Sequence, residues 1–268
     1  MSNSDATPLH TMNPLNRFSD RAADYVKYRP SYPSSAIDKI LEGLGSPSEL
    51  VAADIGAGTG ISSRLLAQRG VRVLAIEPNE AMRQAAQSHP LVEYRDATAE
   101  ATDLPNAAVD LVTCFQSFHW FNPQPTLLEF HRILKSSGRL AVVWNERVGE
   151  SLAVRHRHDE FTANYTQIVQ IASNNHPAEQ RHLAVEPLLT SLLFPNAQQY
   201  TFAYRQDLDL AGLIGRAMST SYIPLTGEAH QQLISSLQQL YESNCDRNGR
   251  VYLSYQTIVF IVEPKLKA

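Results

Sequence analysis

Short apolar runs and amphipathic stretches follow one another in a regular order through the first half of the chain. Runs such as "LVAADI", "VRVLAIE" and "VDLVTCFQ" are separated by stretches such as "NEAMRQAAQS" and "PQPTLLEFHRILK", in which apolar residues recur at helical spacing. Uninterrupted apolar runs are typical of strands buried on both faces, and the helical spacing predicts amphipathic helices. Strand and helix in turn, with short connections, predict a mostly parallel sheet covered by helices on both sides.

The pattern changes near residue 148. Residues 149–190 are polar and helix-like, whereas "AQQYTFAYRQDLDL" alternates as a strand does, and "RVYLSYQTIVFIVEPK" is rich in the β-branched and aromatic residues that strands prefer. We predict that these last two strands pair antiparallel at one edge of the sheet. Residues at about 149–195 and 210–227 are expected to lie over a ligand crevice.

The length of 268 residues fits one large domain, or one domain with a sizeable insertion or lid. We predict a flexible N-terminus at residues 1–16 and a single domain at residues 17–268. Within that domain the pattern indicates four parts, which are an N-terminal helical cap (17–45), a cofactor-binding core (46–148), a lid with edge strand 6 (149–250) and a final strand 7 (251–264).

Composition narrows the possible partners. The formal net charge of −4 provides no positive field for a nucleic acid, and no apolar run approaches the length that spans a membrane. Cys114 and Cys245 are too few and too far apart for a disulfide framework or a zinc site, so no metal is expected. The polar N-terminus lacks a signal-peptide pattern, so a cytoplasmic location is the default expectation. A monomer or a homodimer is expected.

Three glycines, Gly56, Gly58 and Gly60, occupy alternate positions in "VAADIGAGTG", directly after the first predicted strand. Glycines cost backbone entropy, so three so close together indicate that something approaches the backbone there. Glu77 ends the next predicted strand, where an acidic side chain accepts the two hydroxyl hydrogens of a ribose. The two features together predict a ligand that is a nucleoside with free ribose hydroxyls.

The residues around the glycines separate the candidate nucleosides. A phosphate-binding P-loop needs lysine after its last glycine, and the dinucleotide fingerprint needs glycine or alanine there, but this chain has Ile61. Asp54, two residues before the first glycine, suits an ammonium group better than a pyrophosphate, although a loop-anchoring role stays open. A ligand with an amino-acid end and an adenosine end satisfies both features, and S-adenosylmethionine is such a ligand.

The motifs "VAADIGAGTG", "VLAIEPNEAM", "ATAEATDLPNAAVDLVTCFQSFHWF" and "EFHRILKSSGRLAVVWN" resemble those of the class I, seven-stranded S-adenosylmethionine-dependent methyltransferases. "FSDRAADYVKYRPSYP" and "HWF" resemble a small-molecule branch that includes trans-aconitate-type methyltransferases. The resemblance implies a Rossmann-like three-layer α/β sandwich with strand order 3-2-1-4-5-7-6 and strand 7 antiparallel. It also implies S-adenosylmethionine as cofactor and S-adenosylhomocysteine as product.

The resemblance implies roles for residues around the cofactor. Pro78 and Met82 would pack on the adenine. Thr98 or Asp96 would accept a hydrogen bond from its exocyclic amine, and the Ala99 N–H would donate one to a ring nitrogen. Gln116 would lie near the methionyl part, and Tyr25 and Arg29 of the cap would close over the site, with Arg29 facing the cofactor carboxylate or an acidic substrate. The full predicted cofactor set is Tyr25, Arg29, Asp54, Gly56, Ala57, Gly58, Gly60, Glu77, Pro78, Met82, Asp96, Thr98, Ala99 and Gln116.

Methyl transfer is an in-line displacement that mostly needs alignment and exclusion of water. A carboxylate acceptor needs no base, whereas a phenol or an amine does, and histidine is the usual one. His119 and Trp120 are therefore the candidate catalytic residues, with a structural role for His119 left open. Trp144, Asn145 and Tyr222 are candidates for the substrate pocket.

The predicted function is methyl transfer from S-adenosylmethionine to a small molecule, at oxygen and with a carboxylate favoured. "QSFHWF" stands where enzymes that methylate nucleobase amines carry an Asn/Asp-Pro-Pro-aromatic run, which argues against such substrates. The alternatives are a C- or N-methyltransferase with His119 as base, a non-catalytic S-adenosylmethionine-binding protein, and a nucleotide-dependent oxidoreductase. Binding of NAD in place of S-adenosylmethionine would support the last of these.

Overall fold

A computed structural model describes residues 9–11, 19–148, 157–174 and 184–265. The strands are β1 (Val51–Ile55), β2 (Arg72–Ile76), β3 (Val92–Arg95), β4 (Val109–Phe115), β5 (Leu134–Arg147), β6 (Gln198–Leu208) and β7 (Val251–Val262). The α-helices are α1 (Ala22–Tyr28), α2 (Ser34–Leu41), α3 (Ile61–Ala67), α4 (Glu80–Ala85), α5 (Pro123–Ile133), α6 (Arg157–Ala172), α7 (Glu186–Leu189), α8 (Leu210–Met218) and α9 (Glu228–Asn244). Single 3-10 turns lie at Leu9–Thr11, Ser19–Arg21, Pro47–Glu49 and Phe118–Trp120.

The strands form one sheet in the order β3-β2-β1-β4-β5-β7-β6. The pairs β1–β2, β1–β4, β2–β3 and β4–β5 are parallel, and β7 runs antiparallel to both β5 and β6. The predicted strand order and the antiparallel strand 7 are therefore confirmed. Strand order reverses between β1 and β4, so a crevice opens there at the carboxyl ends of the parallel strands.

The sheet is buried on both faces, as its apolar strands predict. On one face Ile55 and Ile76 pack with Phe130, and on the other Ile37 and Leu66 belong to a second apolar cluster. Burying one such side chain contributes roughly 1.5–3 kcal/mol relative to leaving it in water. The two layers hold the ends of β1, β2, β4 and β5 in fixed positions around the crevice.

A third apolar cluster joins α6, α8 and α9 to the end of β6 and the start of β7. Tyr165 of α6, Leu213 of α8 and Leu233 of α9 are buried there beside Tyr255. Because β6 runs parallel to β1, its end lies at the same edge of the sheet as the crevice. These helices therefore stand beside the crevice, and α8 contributes the Arg216 side chain to a pocket there.

The four-part division of the chain stays a prediction. Most of the N-terminal segment predicted to be flexible, residues 1–16, lies outside the described residues, apart from the turn at Leu9–Thr11. Residues 149–156 and 175–183 of the predicted lid also lie outside them. No helix in the described part of the chain is both long and apolar enough to cross a membrane.

Candidate functional site

The glycine turn follows β1 and has a left-handed backbone. Gly56, Gly58 and Gly60 have φ of +65°, +57° and +74°. A Cβ on Gly56 would lie 2.6 Å from the Ser117 Cβ, and one on Gly58 would lie 3.2 Å from the Met82 Cε. The backbone at Gly56 and Gly58 is therefore exposed to the crevice only because no side chain covers it.

The Glu77 carboxylate lies directly beside this turn. The Gly56 N–H donates to the Ile76 carbonyl at 2.8 Å, so the pairing of β1 with β2 continues to the last residue of β2. The Glu77 oxygens accept hydrogen bonds from the N–H of Gly58 at 2.8 Å and of Asn79 at 2.9 Å. Glu77 is only 8% exposed, and burial raises the pKa of its carboxyl while these two bonds lower it, with a net upward shift. Each oxygen keeps acceptor capacity for one further donor.

A cavity of about 400 Å³ opens over the turn and is called the main cavity below. Its volume falls within the range of about 300–1,000 Å³ that small-molecule sites occupy. The lining residues are His10, Thr11, Tyr25, Gly56, Gly58, Glu77, Pro78, Met82, Ala97, Thr98, Ala99, Glu100, Phe115, Gln116, Ser117, Trp120, Phe121 and Asn122. The cavity therefore brings together the glycine turn, the end of β2, the loop after β3 and the loop after β4.

The loop after β3 brings one of two alternative residues to the cavity. Thr98 and Ala99 line the main cavity, as do Pro78 and Met82. Asp96 is not among the lining residues, and its exposed carboxylate pairs with the Arg83 guanidinium at 2.9 Å. The structure therefore places Thr98 and not Asp96 at the cavity wall, and the adenine contact of Thr98 stays a prediction.

A second pocket of about 40 Å³ continues from the main cavity and is called the arginine pocket. Its lining residues are Tyr25, Arg29, Gln116, His119, Trp120, Arg147, Arg216, Thr220, Ser221 and Tyr222. Tyr25, Gln116 and Trp120 line both spaces and form the junction between them. Three arginines and no acidic residue line the arginine pocket, so it is strongly cationic.

Arg216 is the most buried of these arginines, with 3% of its surface exposed. Its Nε donates to the Tyr255 hydroxyl at 3.2 Å and its Nη1 to the Thr220 hydroxyl at 3.3 Å. Within the described residues no carboxylate forms an ion pair with it. Burial lowers the pKa of Arg216, but Tyr255 and Tyr165 raise it, and because the net shift is upward the guanidinium keeps its positive charge.

The family model for a methyltransferase domain matches residues 53–142, from β1 into β5. An uncharacterized methyltransferase of Mycobacterium bovis is 35% identical over 247 residues, which cover 90% of this chain and 93% of that protein. The chain belongs to the class I S-adenosylmethionine-dependent methyltransferases. A methyltransferase-like protein of Schizosaccharomyces pombe is 34% identical over 135 residues, which are 50% of this chain and only about half, 53%, of that relative.

Solved structures show the same architecture. A structure described as a type II methyltransferase from Anaeromyxobacter dehalogenans superposes with a TM-score of 0.64. It covers 88% of this chain and 98% of that one, at 21% sequence identity. At this identity the likeness concerns the fold alone, and the roles of individual residues in this methyltransferase rest on its own geometry.

Asp54 of the methyltransferase lies under the glycine turn and does not line the main cavity. It is fully buried, and its Oδ2 accepts hydrogen bonds from the hydroxyls of Ser62 and Ser63, each at 2.6 Å, while its Oδ1 accepts one from Thr113 at 2.8 Å. Burial raises the pKa of the carboxyl, and the three hydroxyls lower it, with a net upward shift. Of the two roles that the sequence left open, the geometry assigns loop anchoring and not a direct ammonium contact.

Gly60 and Ala57 also lie behind the cavity wall. Gly60 begins α3, and a Cβ there would collide with the Tyr94 hydroxyl, so this glycine serves packing rather than ligand contact. Ala57 lines a cleft of about 20 Å³ together with Gly56 and Arg29. The cofactor contact of Ala57 stays a prediction, whereas the structure does not bring Gly60 to the main cavity.

Trp144 and His119 form a buried pair beneath the arginine pocket. Trp144 is 1% exposed, packs against Phe118 and Phe260, and donates its Nε1–H to the His119 Nδ1 at 3.4 Å. The prediction that Trp144 walls the substrate pocket is therefore corrected. Because an indole N–H can only donate, this bond makes Nδ1 of His119 the acceptor, and the neutral imidazole carries its proton on Nε2.

Asn145 joins three parts of the fold instead of lining either pocket. Its Nδ2 donates to the Ser31 carbonyl at 3.0 Å, and its Oδ1 accepts from the Thr257 hydroxyl at 2.6 Å. Its main-chain carbonyl accepts a hydrogen bond from the Gln116 Nε2 at 3.2 Å. This bond holds Gln116, whose φ of +57° is uncommon for a residue other than glycine, at the junction of the two pockets. The substrate-contact prediction for Asn145 is corrected to a positioning role, whereas Tyr222 does line the arginine pocket.

Several lining residues carried no prediction. They are His10, Thr11, Phe115, Ser117, Phe121 and Asn122 in the main cavity, and Arg147 and Arg216 in the arginine pocket. Arg216 had a signal, because it is the one charged residue in the otherwise apolar helix "LAGLIGRAM". His10 and Thr11 had none, since their segment was expected to be flexible.

Proposed function

We propose that the main cavity binds S-adenosylmethionine and that the chain methylates an oxygen of a small molecule, with a carboxylate as the favoured acceptor. The observation that carries the proposal is the buried Glu77 carboxylate beside a glycine turn, in a cavity that continues into a cationic pocket. The turn and the carboxylate suit a nucleoside, and the second pocket suits an acidic acceptor.

The residues present fit this cofactor. A Cβ at Gly56 or Gly58 would lie too close to neighbouring side chains in the wall of the main cavity. The two Glu77 oxygens can each accept one further hydrogen bond, which matches the two hydroxyl donors of a ribose. Pro78, Met82, Thr98 and Ala99 all line the main cavity and would surround the adenine ring there. When bound, S-adenosylmethionine supplies an electrophilic methyl group on a cationic sulfur.

The chain's own contribution to the reaction is alignment and exclusion of water. Tyr25, Gln116 and Trp120 stand at the junction where the acceptor meets the main cavity. His119, whose Nδ1 is engaged by Trp144, presents an Nε2–H and therefore donates a hydrogen bond rather than accepting a proton. A carboxylate needs no base, so this arrangement favours it over a phenol or an amine.

Titration calorimetry with S-adenosylmethionine, S-adenosylhomocysteine and NAD tests the cofactor proposal. We expect micromolar binding of the first two and a loss of about tenfold or more for Glu77→Gln, because charge-assisted hydrogen bonds to the ribose are weakened. Glu93→Gln, at a half-exposed carboxylate on the surface of β3, is the matched control. Binding of NAD alone, or equal affinity in both variants, would overturn the proposal.

The acceptor is then sought with the loaded enzyme. A panel of small carboxylic acids, each paired with its neutral amide, is screened for release of S-adenosylhomocysteine. Turnover confined to the acids supports carboxylate methylation. Turnover of amines or phenols that rises with pH around the titration of histidine would instead favour His119 as a base.

A further inference from the structure

The buried guanidinium of Arg216 requires a counter-charge that the described residues do not provide. Its hydrogen-bond partners in the described part of the chain are two neutral hydroxyls, those of Tyr255 and Thr220. Burying a charge without a partner of opposite sign is costly. The cofactor proposed above is cationic at its sulfur, and its single carboxylate is the one that Arg29 is predicted to face.

The surrounding helices hold Arg216 in place. Gly215 packs so closely on the Tyr28 ring of α1 that a Cβ there would collide with it. Arg21 donates to the carbonyls of Met218, Thr220 and Ile223, which fixes the loop after α8. Arg216 is thus a preorganised cation and not a surface arginine that has folded inwards.

Arg147 also lines the arginine pocket, and the buried Tyr165 lies near both arginines. The Arg147 guanidinium, at the end of β5, lies 5.6 Å from the centre of the Tyr165 ring. The Tyr165 hydroxyl is fully buried and has no hydrogen-bond partner among the described residues, and burial raises its pKa to about 12, so it stays a protonated donor. Both guanidiniums lie close enough to Tyr165 to oppose that rise in pKa.

We propose that Arg216 and Arg147 form an anchor site for an oxyanion of the acceptor, a carboxylate or a phosphate, that is not the group methylated. The proposal rests on the proposed function and deepens it. The pocket volume of about 40 Å³ exceeds the roughly 10–15 Å³ that one water needs and suits a single small oxyanion.

Anchoring and methyl acceptance require different groups. The N–H groups of arginine donate to the lone pairs of an oxyanion, and the guanidinium stabilises the negative charge of that oxyanion. An oxyanion held in this way is therefore a weak nucleophile. The acceptor oxygen belongs instead at the junction formed by Tyr25, Gln116 and Trp120, which opens to the main cavity. Arg216 also lines a cleft beside Gly56 and Ala57 of the glycine turn. Arg147 lines the arginine pocket but neither that cleft nor the main cavity, so Arg147 is the residue that places the anchor on the acceptor side.

Calorimetry of the S-adenosylhomocysteine-loaded protein with succinate and with inorganic phosphate tests the anchor, with succinamide as the neutral control. We expect one of the two anions to bind and succinamide not to bind. Arg216→Gln and Arg147→Gln should each weaken the anion by about tenfold or more, which corresponds to about 1.4 kcal/mol. The exposed Arg72→Gln, remote on β2, is the matched control and should change nothing.

Each outcome has a distinct meaning. Preference for succinate or for phosphate identifies the oxyanion, whereas binding of neither, or equal binding in the variants and the wild type, overturns the anchor. A folded Arg216→Gln protein that loses S-adenosylhomocysteine affinity in the same proportion also overturns it, because the arginine would then serve the cofactor. If Arg216→Gln does not fold, Arg147→Gln decides the question. If the wild type binds no S-adenosylhomocysteine, the proposed function itself fails.

Discussion

Replacing Gly56 by alanine should be far more damaging than the same change at Gly43. Both glycines have a left-handed backbone, with φ of +65° and +81°. That conformation costs a residue with a Cβ about 1–2 kcal/mol at either site. The Cβ at Gly43 meets no atom within 4 Å, whereas at Gly56 it would lie 2.6 Å from the Ser117 Cβ and 3.0 Å from the Phe121 ring.

Overpacking of this kind costs about a further 1–3 kcal/mol of stability. Gly56→Ala should therefore lower the free energy of unfolding by about 2–5 kcal/mol, and Gly43→Ala by about 1–2 kcal/mol. Ser117 donates to the Ile55 carbonyl at 2.7 Å and lines the main cavity, so its displacement should also weaken S-adenosylhomocysteine binding. Urea denaturation followed by circular dichroism, with calorimetry for the ligand, measures both effects. Equal stability and equal affinity of the two variants would refute the steric reasoning.

Two further predictions concern buried polar groups. Burial raises the pKa of the Asp54 carboxyl, so the folded state keeps its proton to higher pH than the unfolded chain does. The wild type should therefore lose free energy of unfolding relative to Asp54→Asn as pH rises from about 4, and parallel profiles in urea denaturation would contradict this. Trp144→Phe removes the indole donor to His119, so heteronuclear NMR of the imidazole nitrogens should show a protonated Nε2 in the wild type and a mixed tautomer in the variant. An Nδ1-protonated wild type would contradict the assigned hydrogen bond.

The fold and half of the site follow from local sequence. Apolar runs define the strands, and both the glycine turn and Glu77 come at strand ends, which the parallel pairing of the consecutive strands β1 and β2 brings together. Asp54 shows where this reasoning stops. Ser62 and Ser63, which are near it in sequence, hold one of its carboxylate oxygens, but the other is held by Thr113, which is distant in sequence and reaches it only through the β1–β4 pairing.

Strand parity explains the two corrections on β5. Trp144 and Asn145 are neighbours near the end of the strand, and alternation sends their side chains to opposite faces. Each face is covered, one by Phe118 and Phe260 and the other by contacts to Ser31 and Thr257. Arg147, two residues beyond Asn145, is the one that reaches a pocket.

The proposed cofactor site and the proposed acceptor site come from different parts of the sequence. The methyltransferase-domain match at residues 53–142 contains the glycine turn, Glu77 and Thr98, whereas Arg147, Arg216 and Tyr222 lie outside it. The fission-yeast relative aligns over only half of this chain, while the mycobacterial relative aligns over 90%. Since the proposed acceptor anchor depends on α1 packing against α8, a shared acceptor is to be expected only among relatives that retain the cap and α8 together, and the mycobacterial protein is the one to assay beside this chain.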